Sequence, residues 1–161
     1  MEGLFFMKIV GEQGIGKVLK VFLQLCFYVG IIVLAGLPFI FKAIGFNLAT
    51  SMFVIYPNGI ILLMITHNFI AMFDSLRLNN PFCKENVKLL KATGIVSLIG
   101  SVFWLIDFLF ELILLHSKEV ILNGTLLFLS ILFLGVAIAL YILSELFRQA
   151  TEYKKENDLT I

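Results

Sequence analysis

Apolar residues fall into four long runs separated by short polar breaks. The runs cover roughly residues 21–41, broken only by Gln24, then 52–73, 92–115 and 120–147. A helix needs about 20 apolar residues to cross a hydrocarbon core, and each run reaches that length. Lipid offers no water to satisfy a strand edge, so helices are the spanning form at these lengths. The pattern predicts an all-α integral membrane four-helix bundle built from two transmembrane hairpins, one domain over residues 1–161. The fourth run is long enough to tilt or to emerge into water.

Composition supports this reading. Of the 161 residues, 60% are hydrophobic and 14% charged, against about 25% charged in ordinary soluble domains. There is too little polar surface to coat a soluble globule, which excludes a soluble enzyme and a disordered chain. A pI near 7.8 argues against direct nucleic-acid binding. Cys26 lies in an apolar run and Cys83 in a basic one, so no disulfide or zinc site is expected. The first run is too long for a signal-peptide core and ends at Pro38-Phe39, so it is expected to remain as a span.

Charge sets the orientation. Ten of the 12 basic residues lie ahead of span one, between spans two and three, or after span four; only Lys42 and Lys118 lie in the other connections. The positive-inside rule therefore predicts cytoplasmic N- and C-termini and a cytoplasmic central connection.

Within that connection, Asn80 followed by Pro81 reads as an N-cap and first helical residue. The helix from Pro81 should run unbroken into span three and protrude into the cytoplasm, with Lys84, Lys88 and Lys91 on one face and Cys83, Val87 and Leu90 on another. Span four continues likewise. Glu145, Arg148, Gln149 and Glu152 form a polar face, Leu143, Phe147, Ala150 and Tyr153 an apolar one, and the tail occupies residues 148–161. Two readings of these stubs stand. They pack on each other and on lipid headgroups, or they form a docking surface built from Pro81, Phe82, Lys84, Glu85, Asn86, Lys88, Arg148, Glu152, Asn157 and Asp158.

The stretch Asn80-Pro81-Phe82-Cys83-Lys84-Glu85-Asn86-Val87 resembles the central motif of the bacterial domain of unknown function family 2975. The ending, with Glu145-Leu146-Phe147-Arg148-Gln149-Ala150 and Glu156-Asn157-Asp158-Leu159-Thr160-Ile161, resembles its C-terminal signature. Asn79 stands where that pattern has Gly. The resemblance implies a four-span protein of the bacterial plasma membrane, often encoded beside a small helix-turn-helix regulator, and hence a membrane partner for a transcription factor.

Ionisable groups inside a span are costly and need a partner or a purpose. Asp107 and Glu111 sit four residues apart on span three. Counting from the outer helix ends puts Glu111 level with Tyr56 and Thr125, and Asp107 nearer Ser130, with Asn58 and Asn123 close to the same layer. The layer reads either as a packing cluster or as a site for a proton, a cation or an external ligand. A second layer is expected near the inner face from Gln24, His67, Ser97 and Tyr141, with Asn68 beside it. His67 has no companion ligands, so no metal and no cofactor is expected. His116 falls at the outer interface. Gly94, Gly100, Ser97 and Ser101 on span three, and Gly135, Ala137 and Ala139 on span four, are expected to let helices approach closely.

No phosphate-binding loop or nucleophile–base set is present in the sequence, so no enzyme is expected. The leading expectation is a regulatory or interaction protein that holds a cytoplasmic helix-turn-helix regulator in response to a membrane or external signal. The alternatives are a small proton- or cation-coupled transporter subunit, with Pro57 as a kink, and a toxin-immunity protein. The lipid bilayer is a partner in every case, and a homo-oligomer is compatible with each.

Overall fold

The computed structural model describes residues 15–44, 48–77, 83–113 and 120–159. They form four helices and, among the described residues, no strand: α1 (Ile15–Ile44), α2 (Leu48–Arg77), α3 (Lys84–Ile113) and α4 (Val120–Leu159). Each contains a segment long and apolar enough to cross a membrane, namely Gly16–Ala43, Ile55–Asp74, Lys84–Ile113 and Gly124–Asn157. The chain is a multi-pass membrane protein.

All four helices exceed the expected spans. The first three are 30 residues long and α4 is 40. At 1.5 Å per residue α4 measures about 60 Å, twice the hydrocarbon thickness of about 30 Å. Pro38 and Pro57 lie inside α1 and α2, and both helices run on past them. The start of α3 is marked by the Val87 N–H donating to the Cys83 carbonyl at 3.3 Å. The expected cap, Asn80-Pro81, lies outside the described residues.

The helices pack in chain order, α1 on α2, α2 on α3 and, most extensively, α3 on α4. Among the described residues no comparable contact joins α1 to α3 or α4, or α2 to α4. Neighbours run antiparallel. As contacts climb α1 from Lys20 through Phe27 to Leu34, their partners descend α2 from Asp74 through His67 to Tyr56. One end of the molecule therefore gathers Lys17, Lys20, Lys84, Lys88, Lys91, Arg148, Lys154 and Lys155, while Lys42 lies at the other. We call the first the basic end.

The α3–α4 seam is the core. On α3 it takes Asn86, Leu90, Thr93, Ser97, Gly100 and Asp107, and on α4 Leu126, Ser130, Ala137, Leu140, Ser144 and Thr151. These positions follow the alternating three- and four-residue spacing of a coiled-coil seam. Apart from Leu90, Leu126 and Leu140, their side chains are small or polar. Gly94 shows why: a Cβ there would lie 3.3 Å from the Ala137 carbonyl. Three seam hydroxyls are satisfied within their own helix. Thr93 donates to Leu89 O, Ser144 to Tyr141 O and Thr151 to Phe147 O, each at 2.7 Å.

The large apolar side chains point outward instead. Phe22, Phe39, Phe128 and Ile131 are each at least 60% exposed within the chain. In lipid this carries no penalty, because hydrocarbon tails cover them.

Two expected faces are corrected. The buried side of the α4 extension is Ser144, Phe147 and Thr151, whereas Leu143 and Tyr153 are exposed. On α3, Asn86 is buried to 1% exposure beside Leu90. The close approach of the α3–α4 helices selects small or hydrogen-bonded groups and turns Tyr153 outward. Gly135 and Ala139 also miss the seam; both are exposed, and no atom lies within 4 Å of where a Gly135 Cβ would stand.

Candidate functional site

The structure brings two residues of the expected outer polar layer into direct contact. Asn58 on α2 and Asp107 on α3 are each 5% exposed, and the Asn58 Nδ2 donates to Asp107 Oδ2 at 3.0 Å. Helix packing brings them together: one and two turns away, Ile61 and Gly100 meet so closely that a Cβ on Gly100 would stand 3.1 Å from Ile61 Cγ2. Glu111 lies half-buried one turn further along α3.

The other residues expected in this layer go elsewhere. The Tyr56 hydroxyl donates to the Leu34 carbonyl on α1 at 2.8 Å. Ser130 pairs with Ser101, not with Asp107: Ser101 Oγ donates to Ser130 O at 2.9 Å and Ser130 Oγ to Ser101 O at 3.0 Å. Thr125 is exposed, and the side chain of Asn123 lies outside the described residues. The helix-end count put Ser130 beside Asp107, six residues along α3 from the Ser101 that it meets, and it could not tell which way each side chain points around its helix.

The inner layer does not assemble. His67 is exposed, its ring packed against Phe27 with centroids 5.9 Å apart. Tyr141 is 58% exposed, whereas Ser97 is fully buried in the seam and its hydroxyl has no hydrogen-bond partner. Among the described residues no group of three His, Cys, Asp or Glu side chains could hold a metal. His116 lies outside them.

At the basic end the stubs form one unit. The Arg148 guanidinium donates to Glu145 at 2.9 and 2.5 Å and to Glu152 at 2.7 Å, so the polar face of α4 closes on itself. Lys84, Glu85 and Lys88 on α3 are exposed. Asn86, expected on a docking surface, is instead buried in the seam. Asn157 is exposed near the end of α4; Pro81, Phe82 and the Asp158 side chain lie outside the described residues. A second ion pair, Lys20 with Asp74, ties α1 to α2 at the same end. Both cysteines are free.

Residues 18–161 match the family described as a protein of unknown function, DUF2975. The chain belongs to that family. As a DUF2975 member it matches the family over a range that takes in α2, α3 and α4 whole and most of α1. No curated protein and no solved structure matches the chain.

Residues such as Thr93, Ser130, Ser144 and Thr151 were missed as interface positions. On α4 the signal was present in the spacing of small and hydroxylated residues, which recur every seven positions at Ser130, Ala137, Ser144 and Thr151.

Proposed function

We propose that this DUF2975 member is a non-enzymatic regulatory or interaction protein of the bacterial cell membrane. Its termini and the connection between α2 and α3 face the cytoplasm, where the projecting ends of α3 and α4 hold a helix-turn-helix transcription regulator. The observation that carries this reading is the hairpin at the basic end. Its two helices are joined by their own seam through Asn86, Leu90, Ser144 and Thr151, and α4 is far longer than a bilayer requires. A stub with its own seam keeps its shape beyond the lipid. It presents Lys84, Glu85, Lys88, Arg148, Glu152 and Tyr153 outward. The resemblance to a family encoded beside such regulators supplies the partner class.

The Asn58–Asp107 contact is the element through which a signal would act. It joins α2 to α3, and a ligand shifts a bundle only if it binds two arrangements differently. The test is a pull-down of the regulator in detergent, without added lipid, using the full chain, a chain lacking residues 148–161, and a K84E/K88E variant. Loss of capture in the truncated and charge-reversed chains is the expected result. Capture undiminished in both overturns the reading.

A second reading, a proton- or cation-coupled transporter, draws on the same buried carboxyl. Proteoliposome flux that disappears in Asp107→Asn would favour it over the regulatory reading; flux that persists in Asp107→Asn and Glu111→Gln removes it.

A further inference from the structure

Lys84, Lys88 and Lys91 are exposed on α3 and form no ion pair among the described residues. Glu145, whose charge is felt at longer range by Lys91, is held instead by Arg148 at 2.9 and 2.5 Å. The contrast between the neighbouring stubs is therefore sharp. Glu145 and Glu152 of α4 close on Arg148, whereas the three lysines of α3 make no ion pair and Lys91 meets the Glu145 charge only at longer range.

Their direction identifies the counter-charge. At 100° per residue the three lysines fall within about 60° of one another, and this sector lies roughly 150° around α3 from the seam of Asn86, Leu90, Thr93 and Ser97. Followed past Lys91, the same sector holds Ile95, Val102, Ile106, Leu109 and Ile113, which are 42–60% exposed. These are lipid-facing positions. The lysine stripe thus continues, on the same face, the stripe against which acyl chains lie.

The heights agree with this. Lys91 lies about 6 Å from Ile95 along the axis, and Lys88 about 4.5 Å beyond Lys91. The headgroup zone is roughly 5–7 Å deep on each side of the hydrocarbon, and lysine stems bend to bring their ammonium groups to it. A phospholipid with its chains on Ile95 and Val102 places its phosphate between Lys88 and Lys91, with Lys84 adding attraction from just outside. Two or three uncompensated ammonium groups favour a headgroup of net negative charge over a zwitterionic one, whose own cation would be repelled.

We propose that the Lys84–Lys88–Lys91 face of α3 is a binding site for anionic phospholipid in the leaflet at the basic end, with Lys88 and Lys91 at the phosphate. The site needs no assignment of that leaflet to a compartment and no protein partner, so its test stands apart from the pull-down above.

The experiment is native mass spectrometry of the full chain in mild detergent, titrated with phosphatidylglycerol or phosphatidylcholine. The wild type should bind phosphatidylglycerol more tightly. K88Q/K91Q should lose about fivefold of that affinity per lysine, roughly 25-fold together, with phosphatidylcholine binding unchanged. K88R/K91R should retain the preference, and so should K154Q/K155Q, which removes the same charge from α4. Equal affinity for the two lipids in the wild type overturns the proposal. So does a preference that survives K88Q/K91Q, or an equal loss in K154Q/K155Q. Displacement of the lipid by excess inorganic phosphate would reassign the site to free phosphate and overturn the lipid assignment.

Discussion

Ser101 and Ser130 hold each other's backbones: each hydroxyl donates to the other's carbonyl, at 2.9 and 3.0 Å, and the two oxygens stand 3.4 Å apart. This reciprocal pair lies in the buried middle of the α3–α4 seam and fixes how far one helix stands along the other. Interhelical bonds of this kind contribute about 0.6 kcal/mol on average in membranes. Ser101→Ala and Ser130→Ala should each destabilise the protein by about 0.5–1 kcal/mol, measured by reversible unfolding in mixed micelles. The carbonyls keep their helical partners, so neither change strands a polar group. Each single variant leaves the other hydroxyl's bond in place, so the double variant should cost about the sum of the two, roughly 1–2 kcal/mol.

Gly94 and Gly59 should respond differently to the same added methyl. At Gly94 a Cβ meets backbone, the Ala137 carbonyl at 3.3 Å; at Gly59 it meets the end of a flexible side chain, Leu34 Cδ2 at 2.4 Å. A leucine methyl can rotate away, whereas α4 moves only as a whole. Gly94→Ala should therefore push α3 away from α4 and lower the melting temperature in detergent more than Gly59→Ala does. Equal shifts would show that the seam is looser than the contact implies.

The Asn58–Asp107 contact predicts strong coupling. Asn58→Leu removes the one described hydrogen bond to a buried carboxyl, and stranding such a group costs about 1–3 kcal/mol. Asn58→Leu/Asp107→Leu replaces both partners with apolar groups and should recover much of that loss. A double-mutant cycle in mixed micelles measures it, and additive effects would mean that the two side chains act independently.

Lys20 and Asp74 form an ion pair at the basic end, with side chains 22% and 53% exposed. Pairs this open to solvent contribute at most about 1 kcal/mol and weaken with salt. Lys20→Met should lower stability slightly at low ionic strength and have no effect at high ionic strength. Lys20→Asp/Asp74→Lys should recover the wild-type value.

Topology follows from the antiparallel order of the helices. Cys83 at the start of α3 and a cysteine introduced by Lys155→Cys near the end of α4 should react with a membrane-impermeant maleimide from the same side of the vesicle. Cys26, within the span of α1, should stay unlabelled. Reaction of the first two from opposite sides would be incompatible with the α3–α4 hairpin.

Much of this architecture is legible along the chain. Four runs of spanning length, and lysines gathered between alternate runs, determine four helices and place Lys20, Lys84 and Arg148 at one end. Both depend on composition alone, because the cost of putting backbone and charge into hydrocarbon is set by lipid, whatever the helix neighbours. The chain also shows that Asp107 and Glu111 share one face of α3.

Tertiary structure alone decided which way each helix faces. Apolar periodicity pointed to Leu143 and Tyr153 as the buried side of α4, and the packed helices chose Ser144 and Thr151. It also took packing to send the Tyr56 hydroxyl to Leu34, to match Ser130 with Ser101 and to leave Asn58 for Asp107. In water the apolar side of a helix must turn inward, so the pattern reveals the face. In lipid a leucine is as well solvated outside as inside. The inward face is then set by how closely two backbones can approach and by which hydroxyls and amides find partners there, and these are relations between residues far apart in the chain.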